Sequence, residues 1–351
     1  MRQFIALEPL CDLPTAVQPL QDMAGRLHIA ALWVKRDDRS ALTYGGNKTR
    51  KLEFLLGEAK RSKSREVLTF GYAGSNFALA TALYAQQLGM RCISMLLPQH
   101  NATYVRQNLL LGDYAGAELH TAPNTWLLGA KTLWQYARHT LMQGRRPYWI
   151  PAGGSHPLGV LGFVNAAYEL KAQIDAGTLP VPDVIYLPLG SMGSAAGLDI
   201  GLRVLGLQTR IVAVRVVPTQ FGSEAGLQKL IERTVTYLRR REPDFPVLSA
   251  DDTLCEVREG FFGQAYGEFT PEGRTAASLA GDLEGLKLDG TYAAKAMAAL
   301  IADARAGKLQ DKTVLFWNTG NSRDVASRVD GLDYKTLPAA FHRYFESPVQ
   351  D

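Results

Sequence analysis

Short apolar runs alternate with longer stretches whose apolar residues recur at helical spacing, and this alternation continues along most of the chain. Residues 67–70, 91–97, 147–150, 184–189, 211–217 and 313–317 have the length and the branched or aromatic content of buried strands. Helical patterns lie between them: from Ser75-Asn76 to Gly89, about 104–111, about 126–142, after Pro157, from about Ser194, from Pro271 and from Thr291. Ahead of these, Leu52, Leu55, Leu56 and Ala59 fall at offsets of three, four and seven, an apolar helix stripe that follows an extended segment with glycines in it. Strands alternating with helices predict an α/β protein with mostly parallel sheets, each covered by helices on both faces. No solenoid period and no low-complexity segment interrupts the pattern. In such folds ligands gather at the carboxyl ends of strands, where loops turn into helices.

Composition narrows the class without naming a chemistry. At 351 residues, two domains are expected, and 46% hydrophobic with 21% charged residues is ordinary for a globular protein. The net charge of +4 is mild, and the basic clusters Arg239-Arg240-Arg241 and Lys60-Arg61 to Lys63 are short and lack interleaved aromatics. They read as solvated helix ends, not as a nucleic-acid surface. Cys11, Cys92 and Cys255 are far apart and form no paired motif, so neither a disulfide framework nor a zinc site is expected, and Cys92 reads as core packing. The six histidines show no metal-ligand spacing. Met1-Arg2-Gln3-Phe4 runs into Glu8, Pro9 and Asp12 without a signal-peptide core, and no run of about 18 apolar residues exists. A cytoplasmic protein with no membrane partner is therefore expected.

The candidate chemistry lies at strand–helix junctions. Lys48, in Gly45-Gly46-Asn47-Lys48-Thr49-Arg50-Lys51, sits where the extended segment becomes a helix. The helix dipole disfavours a second positive charge there, which makes the amine easier to deprotonate and a better nucleophile. Leu189-Gly190-Ser191-Met192-Gly193-Ser194-Ala195 is a small-residue loop between a strand and a helix, suited either to a phosphate or simply to a tight turn. It matches neither the dinucleotide fingerprint, because Met192 takes the second glycine's place, nor the Walker loop. Ser75-Asn76 could cap a helix or point polar groups into a cleft. Thr319, in Trp317-Asn318-Thr319-Gly320-Asn321, ends another strand. Tyr266 and Tyr292 are phenols that could move protons, although tyrosines mostly pack with the hydroxyl at a surface. Together, an imine-forming lysine, an anion cup, polar strand ends and phenols match a pyridoxal 5′-phosphate (PLP) enzyme.

At these residues the chain resembles the PLP-dependent family of 1-aminocyclopropane-1-carboxylate (ACC) deaminase and D-cysteine desulfhydrase, of tryptophan synthase β-subunit-like fold. The resemblance runs from Val34 to about Gly320 and is most specific at Lys35-Arg36-Asp37-Asp38, Gly45 to Glu53, Pro151-Ala152-Gly153-Gly154-Ser155, Gly159-Val160-Leu161-Gly162, Tyr266-Gly267 and Tyr292 with Lys295-Ala296-Met297. It implies two three-layer α/β/α domains: a small one, residues 54–151, inserted into a large PLP-binding one, residues 1–53 plus 152–351, with the cofactor in the cleft between them. It further implies that Lys48 is the Schiff-base lysine and the base at the substrate α-carbon, with Ser75 on the substrate carboxylate and Asn76 on the cofactor ring oxygen. Ser191, Gly193 and Ser194 would hold the phosphate, Thr319 would lie at the pyridine nitrogen, and Tyr266 and Tyr292 would serve as acid, base or orienting groups. A small amino-acid substrate and a homodimer are part of the same expectation.

The chain also departs from both well-known branches. ACC deaminases carry glutamate after the second tyrosine and commonly leucine at the strand end, where this chain has Ala293 and Thr319. The D-cysteine branch has histidine after Ser-Asn and a His-Thr-Gly-Gly strand end, where this chain has Phe77 and Asn318-Thr319-Gly320-Asn321. His156 stands where the family usually has asparagine. The expected activity is α-proton abstraction with β-elimination, most like D-cysteine desulfhydrase, on a substrate larger or less polar than cysteine, with Phe77 supplying an apolar ring near it. ACC ring opening, racemisation or β-replacement on the same fold, and a non-catalytic PLP-binding relative are the alternatives.

Overall fold

The computed structural model describes residues 5–350; Met1–Phe4, on which the signal-peptide reading partly falls, and Asp351 lie outside the described residues. The strands are β1 (Val17–Pro19), β2 (Ala31–Lys35), β3 (Glu66–Tyr72), β4 (Arg91–Leu97), β5 (Glu118–Thr121), β6 (Tyr148–Trp149), β7 (Val184–Leu189), β8 (Arg210–Arg215), β9 (Cys255–Arg258) and β10 (Thr313–Trp317). The helices are α1 (Gln21–Leu27), α2 (Asn47–Arg61), α3 (Asn76–Gln87), α4 (Thr103–Tyr114), α5 (Thr125–Gln143), α6 (Pro157–Asp175), α7 (Gly193–Val204), α8 (Glu224–Arg239), α9 (Pro271–Glu284), α10 (Ala293–Arg305) and α11 (Arg343–Glu346). The chain divides into two compact units.

The first unit contains Cys11–Lys51 and Ser155–Ser322. Its sheet runs β1-β2-β10-β7-β8-β9, parallel throughout except for the β1–β2 pair. Alternation along the strands gives each face its own partners. Val34, Tyr186, Val214 and Phe316 pack with the buried residues of α1, α9 and α10. On the opposite face Trp317 meets Phe163 of α6 at 5.8 Å between ring centroids. Helices α6 and α7 approach closely because Gly197 and Gly201 face Phe163 and Ala167; a Cβ on either glycine would lie 2.4 Å from the neighbouring Cβ.

The second unit contains residues 5–10, Leu52–Gly154 and 323–350. Its parallel sheet runs β5-β4-β3-β6. Leu68, Ile93 and Met95 pack against Leu128 of α5, while α3 packs on β3 and β4. Helix α3 is buried from Phe77 to Ala85, which accounts for its nearly all-apolar sequence. Residues 323–350 fall here and not, as expected, with residues 152–322. Polar contacts hold them: Arg106 donates to the carbonyls of Tyr344 and Ser347, and Asn101 donates to those of Tyr344, Ser347 and Pro348. Such contacts leave no periodic trace in a sequence. Among the described residues no helix is long and apolar enough to cross a membrane. All three cysteines are free thiols, and burial pushes the Cys92 thiol up to about 12.

A buried charge cluster fixes the start of α2 in the first unit. The Arg50 guanidinium donates to both oxygens of Asp37, at 2.7 and 2.9 Å, and to Glu169 at 2.9 Å. Lys35 pairs with the same Glu169. Burial would raise the Glu169 carboxyl, but hydrogen bonds and charge from Arg50, then Lys35, hold it down at about 2.

Candidate active site

The tight entry into α2 sets the position of Lys48. Gly46 has φ +98°, and a Cβ there would sit 2.8 Å from the Thr319 carbonyl oxygen, so only glycine fits. Its N–H donates to the Asp37 carbonyl (2.7 Å), and the next N–H, of Asn47, donates to the Thr319 carbonyl (3.1 Å). The Asn47 side chain then donates to Ser194 Oγ at 2.9 Å. The starts of α2 and α7 and the end of β10 are thereby tied together. Burial pushes the Lys48 amine down to about 8, although the Asp289 carboxylate pulls the other way. Its Nζ lies 4.9 Å from the centroid of the Tyr292 ring.

Tyr292 is fixed from two sides. Asp289 accepts from the N–H groups of Tyr292 (2.7 Å) and Ala293 (3.2 Å), capping α10. Gly190 gives the ring room, since a Cβ there would lie 3.2 Å from it. The hydroxyls of Tyr266 and Tyr292 are 2.5 Å apart, one donating to the other. Lys48, an amine easily made neutral, therefore neighbours two coupled phenols that can hold or pass a proton.

The small-residue loop opens α7 at Gly193, one residue earlier than the pattern predicts. Met192 adopts the left-handed conformation at φ 66°, one that glycine takes at no steric cost, and its sulfur lies toward Gly226. Ser155 Oγ donates to the Ser191 carbonyl, and the Gly193 N–H turns back to the same oxygen at 2.8 Å. The first-turn N–H groups of α7 have no intrahelical acceptor. The Lys51 ammonium closes the cup: its Nζ would be 2.9 Å from a Cβ on Gly193. Burial, and then repulsion from Lys48, push Lys51 down to about 7. A helix start, a glycine and a lysine head suit an anion such as a phosphate, whose charge would restore the Lys51 proton.

Thr319 is 1% exposed, and its hydroxyl has no hydrogen-bond partner; Asn47 Oδ1 is likewise buried and unpartnered. Buried polar atoms are normally satisfied, so these two fit contacts to a bound heterocycle with polar edges.

Lys48, Tyr266, Tyr292, Ser191, Gly193, Ser194 and Thr319 all belong to the first unit, where the contacts above link Lys48 to Tyr292 and the starts of α2 and α7 to Thr319. Ser75 and Asn76 belong to the second. There Ser75 caps α3, accepting from the Ala78 N–H at 3.1 Å, and Asn76 opens the helix, its Oδ1 accepting from Asn108 at 2.9 Å. Phe77 is buried with its ring beside Gly154. His156 caps α6, a ring nitrogen accepting from the Leu158 N–H at 3.2 Å. Three residues of this geometry were not singled out from the sequence: Lys51, Asn47 and Asp289. Lys51 carried a signal, because residues i and i+3 share a helix face and Lys48 was already marked. Asn47 acts through contacts to Ser194 and Thr319, distant in sequence, and carried none, while Asp289 bonds residues three and four further on and its charge reaches Lys48 only in the folded chain.

The family profile described as "Pyridoxal-phosphate dependent enzyme" matches residues 10–320. The chain is 35% identical over 325 residues to a nocardicin C-9′ epimerase of Nocardia uniformis subsp. tsuyamanensis, covering 90% of this chain and 93% of that one. It is 33% identical over 330 residues to a D-cysteine desulfhydrase of Klebsiella pneumoniae (strain 342), covering 92% and 95%. A crystal structure of an ACC deaminase homologue superposes with a TM-score of 0.76 at 31% identity, covering 90% of this chain and 92% of that one. With the fold, a lysine tuned toward its neutral form and the anion cup already described, this chain belongs to the pyridoxal-phosphate dependent enzymes of fold type II.

Proposed function

We propose that this enzyme abstracts the α-proton of a small amino acid and eliminates its β-substituent, most like a D-cysteine desulfhydrase, releasing a keto acid, ammonia and the protonated leaving group. The observation that carries this reading is the pairing of Lys48, pushed down to about 8, with the coupled Tyr266–Tyr292 hydroxyls. Bound pyridoxal phosphate supplies an electron-withdrawing ring that stabilises negative charge at the substrate α-carbon. Lys48 would hold that cofactor, and its amine would serve as the base for the α-proton. The start of α7, through Ser191, Gly193 and Ser194, holds the phosphate with Lys51. Thr319 Oγ1, buried and without a hydrogen-bond partner, would be the neutral partner for the ring nitrogen, at a strand end that lacks a carboxylate. Tyr266 and Tyr292 hold the proton that the leaving group takes. Ser75 on the substrate carboxylate and Asn76 on the ring oxygen follow from the resemblance.

The decisive experiment is a panel of D- and L-amino acids plus ACC, scored by keto acid and ammonia. Turnover of β-substituted amino acids, with none of ACC, is expected. Keto acid from ACC alone would overturn the proposal. A second reading, epimerisation at the α-carbon, is favoured by the 35% identical epimerase and by a tyrosine pair able to return a proton. Deuterium entering the substrate from solvent without keto acid release would select it.

A further inference from the structure

Helix α4 carries a polar residue where its pattern calls for an apolar one. Val105, Leu109 and Gly112 are buried on one face, and Asn108 completes that stripe, itself only 7% exposed. Asparagine is a poor former of helix interiors and costly to bury, so a buried one at such a position is accounted for by its partners. Asn108 has two, both at the entry to α3 within the same unit: its Nδ2 donates to the Gly74 carbonyl at 2.9 Å and to Asn76 Oδ1 at 2.9 Å. Gly74 is held from its other side, where its N–H donates to Gln99 Oε1 at 2.8 Å and the Gln99 amide donates to the Tyr104 hydroxyl at 2.7 Å. A Cβ on Gly74 would lie 2.8 Å from side-chain carbons of Tyr104 and Val105, so the loop is seated directly on α4.

This arrangement decides which end of the Asn76 amide points where. A carbonyl oxygen only accepts, so the Gly74 carbonyl requires the nitrogen of the Asn108 amide to face it. The second hydrogen of that nitrogen then meets Asn76, which must offer its oxygen. The Asn76 NH2 is thereby turned away from Asn108, and the residue presents a donor on that side. A donor toward the cofactor ring oxygen stabilises that oxygen in its ionised form, whereas a reversed amide would set a carbonyl against it and favour the hydroxyl. We propose that Asn108 is a positioning residue: anchored on the Gly74 carbonyl, it sets the orientation of the Asn76 amide and so keeps the cofactor ring oxygen ionised. The proposal rests on the reading above that Asn76 meets that oxygen.

The test uses the full chain loaded with pyridoxal phosphate and reads its absorbance, since the ionised ring oxygen gives a visible band and the protonated one a near-ultraviolet band. Asn108→Asp keeps the size of the side chain but puts an oxygen where Nδ2 stood. An oxygen carries at most one hydrogen, and with that one on the Gly74 carbonyl none is left for Asn76, whose amide turns over. The ratio of the visible to the near-ultraviolet band is expected to fall about fivefold, the worth of one hydrogen bond. Asn108→Leu, which orients Asn76 neither way, is expected to give a smaller fall, and it carries the test if the aspartate variant does not fold. Asn76→Ala separates the proposal from the reading beneath it: this variant should lower the ratio by itself, and Asn76→Ala/Asn108→Leu should lower it no further. A wild-type ratio in the Asn108 variants, beside a lowered one in Asn76→Ala, would overturn the proposal alone. A wild-type ratio in Asn76→Ala would overturn the reading and the proposal together. A further fall in the double variant would show Asn108 acting through the loop and not through Asn76, and would overturn the proposal as well.

Discussion

Two sets of buried cations lie in the first unit, Arg50 with Lys35 and Lys48 with Lys51, and they differ in what holds them. Arg50 and Lys35 are enclosed with Asp37 and Glu169 in a network of short charge-assisted bonds. Lys48 and Lys51 are pushed down, to about 8 and about 7, by burial above all, with mutual repulsion adding to it at Lys51. Burial pushes Lys35 down as well, with Glu169 and Asp37 pulling it back, so the Arg50–Asp37 pair is the rigid fixture. Burial leaves Lys48 and Lys51 as amines that more readily shed a proton. The chain uses the first to hold the second in place: Asp37, which grips Arg50, also accepts the Gly46 N–H through its backbone carbonyl.

The contrast breaks most sharply at Lys48. Lys48→Ala is expected to lower keto acid formation at least ~10³-fold while leaving the thermal midpoint within about 2 °C, because a nucleophile and base is lost but little packing. Asp37→Ala should do the reverse, costing about 3–5 kcal/mol in urea denaturation by leaving Arg50 underpaired in the core. A wild-type midpoint for Asp37→Ala would show that the cluster is not the fixture described. Lys51→Met tests the second amine. Cofactor affinity should fall ~10–100-fold, the worth of one charge-assisted bond to phosphate, with cofactor-free stability unchanged or slightly higher. The smallest effect is on pH. Only neutral Lys48 can attack the cofactor aldehyde, and its neutral fraction grows as pH rises through about 8. Reloading of the cofactor-free protein should therefore be roughly tenfold faster at pH 9 than at pH 7. A rate that falls over that interval would contradict the assignment.

Local pattern revealed the elements that are buried on their own account. β4, β7 and β10 were legible to the residue, because a parallel strand covered on both faces is a continuous apolar run. β1, β9 and α8 were not foreseen. The two strands are short and lie at the sheet edges, where burial is partial and alternation faint. In the candidate site, Lys48, the Ser191–Ser194 loop and Thr319 were visible as strand–helix junctions. The Asn47–Ser194 and Gly46–Thr319 contacts join residues far apart in the chain, and only the folded backbone brings them together. Met192 shows the limit of motif reading. Its side chain masked a loop position whose left-handed backbone is the kind usually given to glycine.

The central claim is that Lys48, and neither Lys51 nor Lys295, joins the cofactor. Lys295 is a fair competitor, since burial pushes it too down to about 8. Borohydride reduction of the cofactor-loaded protein, followed by peptide mass spectrometry, decides between them. The account predicts one pyridoxyl phosphate group per chain, on the peptide containing Lys48 and on that residue. A label on Lys51 or Lys295, or no label at all, would contradict it.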